Sequence, residues 1–232
     1  MALSSSPPRA SKSSPYPEPF KPQTGRHREL IWELAIGYGL LQAALWSEGE
    51  LRWVWTAAVV LWIIGVTAYH RPTLRQLGVG WAGFARSLWA VGLAAVAGAA
   101  MLFGAHLAGT LHPYPLHRTL LAVATGYLVW TLQQQFLLQS FFFLRLEQLL
   151  GSRKAVWAGA GLFALAHIPN PVLVPATFAA GLAFCAVFRK YRNIYTLAIA
   201  QAILGMCLAA AVPEALHHHM HVGIGYLGWV PR

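Results

Sequence analysis

Apolar residues along this chain come in long runs, separated by short clusters of basic residues, glycine and proline. Seven runs are long enough to cross or nearly cross a bilayer, at about 30–47, 53–69, 87–107, 119–144, 155–168, 172–188 and 194–212. Each predicts a helix, because hydrocarbon offers no water to satisfy a free backbone. The fifth is short, and the "HIPNP" at its end predicts a tight turn, since proline restricts both itself and its predecessor. The expected fold class is therefore all-α: a polytopic integral membrane helical bundle of about seven spans. An eighth is left open by the apolar and aromatic stretch "VGIGYLGWV" (222–230), too short to count on its own.

Composition agrees, with 57% hydrophobic and only 10% charged residues. Residues 1–29 differ: rich in Ser and Pro, with five Lys or Arg, they predict a disordered tail and lack the apolar core of a signal peptide. The expected organisation is this tail followed by a transmembrane domain over 30–232. A net charge of +10 raises the question of nucleic acid, but the distribution answers it. With alternate loops on opposite sides, one side receives 14 basic residues and the other only Arg52, Arg118 and Arg232. That is a topology signal which places the N-terminus in the cytoplasm, with the lipid bilayer as partner and no nucleic acid.

One run holds what hydrocarbon should not. In "LLAVATGYLVWTLQQQFLLQSFFFL" (120–144), Thr131, Gln135 and Gln139 recur every four residues and Gln134 lies beside them, so one helical face is polar. Gln133 points elsewhere, to pack against another neighbour. His167 in the fifth run and Gln201 in the seventh fall at comparable depth, ~10–20 Å from the cytoplasmic ends at ~1.5 Å per residue. Two readings are open. The amides and imidazole bond helix to helix, at ~0.6–2 kcal/mol per contact, or they form a site, the default reading of an ionisable group within a membrane.

At these residues the chain resembles the CPBP family, the CAAX prenyl endopeptidases and their bacterial relatives. The family pattern is EExxxR, then FxxxH, then a His followed four residues later by Asn. Here "QQFLLQ" puts Gln134 and Gln135 at the glutamates and Gln139 at the arginine; "FALAH" carries Phe163 and His167 in full; "QAILG" puts Gln201 at the second His and Gly205 at the Asn. The resemblance covers about 119–212, the expected CPBP-like core. It implies a CAAX-type intramembrane endopeptidase, with a glutamate activating water, histidines assisting and Asn stabilising the oxyanion. It also implies a prenylated peptide or isoprenoid-like lipid as partner, and a bacterial plasma membrane.

The substitutions bear on that chemistry. An amide cannot replace a carboxylate as general base. The chain has no Asp, and its glutamates are Glu18, Glu29, Glu33, Glu48, Glu50, Glu147 and Glu214. Glu147 is expected in a cytoplasmic loop, Glu214 beyond the last span, Glu48 and Glu50 in solvent, and Glu33 reaching for the cytoplasmic interface. His167 is then the one titratable group, able to act as acid or base, with Gln134, Gln135, Gln139 and Gln201 orienting or polarising a ligand. The alternative is a non-proteolytic membrane protein that binds or transforms an isoprenoid-like lipid or binds a partner helix. No cofactor and no metal are expected. "HHHMH" (217–221) has imidazoles enough for Zn or Ni but no HExxH or carboxylate partner, so a solvated or interfacial segment is the simpler reading. Cys185 and Cys207 have no metal or disulfide spacing and read as packing residues.

Overall fold

The computed structural model describes residues 26–112 and 120–229. Helix makes up 82% of the structure, and there is no strand among the described residues. Most of the expected tail, 1–25, lies outside them, as do Arg118 and Arg232. The tail's last residues, His27–Glu29, already form the first turn of a helix.

The helices are α1 (His27–Leu45), α2 (Gly49–His70), the short α3 (Leu74–Leu77), α4 (Phe84–Leu107), α5 (Leu120–Gln135), α6 (Leu144–Leu150), α7 (Ser152–Leu165), α8 (Leu173–Tyr191) and α9 (Tyr195–Ala211). A C-terminal segment adds two single turns, α10 (Glu214–His217) and α11 (Ile224–Leu227). Three helices, α2, α4 and α8, are long and apolar enough to span a bilayer, and α9 is a shorter apolar helix. The 22 residues of α2 would reach ~33 Å against a hydrocarbon core of ~30 Å. Their outer faces carry Leu61, Ile64, Leu93, Val96 and Phe103, all exposed. Such a surface suits lipid and would aggregate in water. This is an integral membrane protein.

One departure from a regular α-helix matters to the site. Between α5 and α6 the chain stays helical, but Phe136–Phe143 winds as a π-helix. Its wider i→i+5 turns are rare and gather at functional sites. Leu138 through Phe143 are all buried, so nearly a full circumference faces protein rather than lipid. Phe143 meets Phe188 of α8 edge-on at 5.8 Å, and both are fully buried.

Small residues let the other helices close on this segment. On α7, Ala155, Gly159, Ala160 and Ala164 are buried against α8. A Cβ at Gly181 of α8 would lie 2.9 Å from the Ala160 Cα, so only glycine permits that approach. Without a hydrophobic drive between helices in lipid, such close packing is what holds them together.

Candidate functional site

The amides of α5 and α9 form one directed chain. Gln139 Nε2 donates to Gln135 Oε1 (3.2 Å), Gln135 Nε2 to Gln201 Oε1 (2.7 Å), and Gln201 Nε2 to Gln134 Oε1. Thr131 Oγ1 strengthens the same junction by donating to the Ala198 carbonyl of α9 (3.0 Å). Thr131, Gln135 and Gln139 are fully buried and Gln134 is partly so, while Gln133 is exposed rather than packed on a neighbour. The Gln139 oxygen at the chain's inner end has no hydrogen-bond partner. At the outer end Gln134 accepts through its oxygen, which leaves its NH2 as the terminal donor.

His167 follows α7 by two residues and is buried. Its Nδ1 lies 2.6 Å from the Phe163 carbonyl, one turn back. A carbonyl only accepts, so Nδ1 carries the proton and Nε2 presents a lone pair. The Phe163 ring meets the imidazole edge-on at 4.9 Å, so both named positions of "FALAH" fix the histidine. No amide of the chain bonds His167. Instead, His167 and Gln134 line a common cavity of about 100 Å³, with Tyr38 and Leu41 of α1, Trp130 of α5, Leu137 and Phe142 of the π-helix, and Val222. Gln135 and Gln201 meet directly behind Gln134, outside that lining.

Gly205 is explained by what fills its space. A Cβ there would come within 2.1 Å of the Tyr127 hydroxyl and 2.9 Å of its ring. The phenol reaches over from α5 into the volume a side chain on α9 would occupy. Neither Tyr127 nor Tyr38 is marked by spacing in the sequence, since their roles depend on which helices become neighbours.

The carboxylates sit elsewhere, and two of them correct the sequence reading. Glu33 does not reach out to solvent: it is buried, accepts from Arg145 Nε (2.8 Å) and lies 2.6 Å from His70 Nε2, with Arg26 at 4.0 Å. Glu147 is not in a loop: it is buried in α6, paired with Arg192 at 2.5 Å and accepting from Ser152 at 2.7 Å. A buried carboxylate persists only with such partners, and these keep both acids away from the cavity. Glu29, Glu48, Glu50 and Glu214 are exposed, and Glu18 is outside the described residues. No carboxylate lines the cavity.

The histidine cluster is spent on local structure. His217 Nε2 donates to the Val212 carbonyl (3.0 Å) while its Nδ1 accepts from Met220 N (3.1 Å). The His218 ring stacks on Tyr226 and Trp229, and His219 pairs with Glu214 at 2.5 Å. Among the described residues no three His, Cys or Glu side chains are grouped to hold a metal. Asn170, in the turn after His167, holds this segment down: its Nδ2 donates to the carbonyls of His217 (2.9 Å) and His221 (3.0 Å).

Fold and cavity together define a class: a helical integral membrane protein with a small, largely apolar cavity among its helices that an imidazole and an amide also line. Comparison adds a similarity over part of the chain. Residues 117–207 match the family described as type II CAAX prenyl endopeptidase, Rce1-like, of the CPBP group, which is the stretch that carries the amide chain and His167. No curated protein and no solved structure matches the chain.

Proposed function

We propose that this CPBP-like membrane protein binds an isoprenoid-like lipid, entering sideways from the bilayer, in the cavity beside His167. The observation that carries this reading is the lining: an imidazole lone pair and an amide among aromatic and aliphatic side chains, with no carboxylate. Peptide hydrolysis needs a base that can activate water, and an amide is too weak a base for that. His167 is the one imidazole in the cavity and its proton acceptor; Gln134 contacts the ligand, and Gln135, Gln139 and Gln201 orient it. In this reading 1–29 is a tail and 30–232 a transmembrane domain with 119–212 as its core. Seven crossings with a cytoplasmic N-terminus accord with the 14 basic residues on one side. A bacterial plasma membrane accords with the family's bacterial breadth.

A second reading is the CAAX-type endopeptidase acting on a prenylated peptide. What favours it is the complete "FALAH" motif within the matched stretch, with His167 Nε2 free to exchange a proton. One experiment separates the two. The purified protein is analysed for bound lipid by native mass spectrometry, and prenylated peptides are offered to wild type and His167→Ala. An intact lipid retained by wild type, without peptide turnover, is the expected outcome. Turnover abolished by His167→Ala would overturn lipid binding in favour of hydrolysis.

A further inference from the structure

We infer that the cavity selects an uncharged lipid alcohol, one apolar tail ending in a hydroxyl, over phosphorylated or otherwise charged heads. This rests on the lipid-binding reading above and adds the chemistry of the head group.

Two lining groups have complementary functions left unspent, while a third, the Tyr38 hydroxyl, already donates to the Leu162 carbonyl (3.1 Å). His167 Nε2 accepts, because Nδ1–H is committed to the Phe163 carbonyl. Gln134 Nε2 donates, because its oxygen is taken by Gln201, itself held by Gln135. A hydroxyl gives one hydrogen bond and takes another, so it satisfies both. An ether accepts but cannot donate, and leaves the imidazole unmet. A phosphate brings charge, and no Arg, Lys or other ionised group lines this cavity to receive it. The arginines are elsewhere: Arg26 and Arg145 line a separate cavity with Glu33 and His70.

Shape points the same way. Val222 lines the cavity on the side of the C-terminal segment, which is held there because Gly223 N donates to the Ile168 carbonyl (2.9 Å). The flank is open, because Trp130 is exposed and Leu41, Leu45 and Leu137 are half-buried. A space of about 100 Å³ takes the head and the start of a tail, whose remainder lies along this flank. A partner helix fits less well, since its backbone donors and acceptors are already paired within itself.

The test uses the purified full chain in lipid nanodiscs and a diazirine-labelled C15 alcohol as photoprobe. Crosslinked residues are mapped, and farnesol, farnesyl methyl ether and farnesyl phosphate compete. The expected result is labelling at Trp130 or Leu137, with farnesol competing about tenfold better than the ether, the usual worth of one buried hydrogen bond, and the phosphate not competing. His167→Leu should weaken farnesol about tenfold and leave the ether unchanged, whereas Gln134→Leu should weaken both; a purely structural role would weaken both ligands in either variant. Competition by the phosphate or the ether equal to farnesol overturns the head-group inference while leaving a lipid site. Absence of labelling in the cavity, with all competitors silent, overturns the lipid-binding reading itself.

Discussion

The Tyr127 phenol stands where a side chain at 205 would be, and this can be tested by filling the space. In Gly205→Ala the new Cβ would sit 2.1 Å from the Tyr127 oxygen and 2.9 Å from two ring carbons, where ordinary contact begins at 3.4 Å. The phenol must withdraw by about 1.3 Å at its tip, and forced repacking of this kind costs ~1–3 kcal/mol. Alanine returns ~0.5–1 kcal/mol by stiffening the α9 backbone relative to glycine. The net expectation is a loss of ~1–2 kcal/mol. In a Tyr127→Ala background the clash is gone and only the helix gain remains, so the same substitution becomes neutral or stabilising. The assay is a double-mutant cycle on denaturant unfolding in micelles, with a coupling of ~1–3 kcal/mol expected between the two sites. If Gly205→Ala costs the same with and without Tyr127, the phenol does not occupy that space and the account of Gly205 is wrong.

Three further outcomes follow from the buried polar groups. Glu33→Ala should destabilise by ~3–5 kcal/mol by stranding Arg145, while Glu33→Leu with Arg145→Met should recover most of it; equal losses in both unfolding experiments would refute a pairing role. Gln135→Glu alone places an acid oxygen where an N–H now donates to Gln201 at 2.7 Å, so it should be strongly destabilising. Adding Gln201→His restores a donor there and should recover unfolding resistance, and no recovery would count against this hydrogen-bond account. Burial pushes His217 and His221, both beyond the last span, below the ordinary histidine value of 6.5, so the folded segment favours their neutral forms. That contribution is present above the unfolded value and is lost as pH falls through 6.5 towards the lower folded values. Amide exchange at Met220, which donates to His217 Nδ1, should accelerate on acidification, and a pH-independent protection factor would contradict it.

What the sequence could reveal was set by local regularity. The long apolar runs predict the helices because length and composition alone distinguish a span. The depth of Gln135 and Gln201 from their helix ends was enough to foresee that they could meet, and "FALAH" marked Phe163 and His167. The π-helix was not legible: "FLLQSFFF" has no proline or glycine to announce it, its Ser140 is spent on the Leu77 carbonyl rather than on a cap, and the segment is packed on nearly all sides. Glu33 and Arg145 are 112 residues apart, so their pairing is a property of the fold. Glu147 was misread because charge near a basic cluster looks like a loop; Arg192 and Ser152 supply the partners that let it stay in a helix.

These misread acids expose a division within the molecule. Both buried carboxylate pairs, Glu33 with Arg145 and Glu147 with Arg192, involve α6, and tie it to α1 and to the end of α8. These paired charges therefore sit around α6, beyond the π-helix. Deeper along the same helical path the ties are amide to amide and carry no net charge. Neutral amides can be buried whenever each finds a partner, whereas a carboxylate at the same depth would need a cation beside it. Gln139, one turn on from Gln135, is itself an amide and supplies none. Glutamine at 134, 135 and 139 is thus one coupled arrangement: three amides tied to one another and to Gln201 without a charge, beside a cavity that His167 and Gln134 line together and no carboxylate enters.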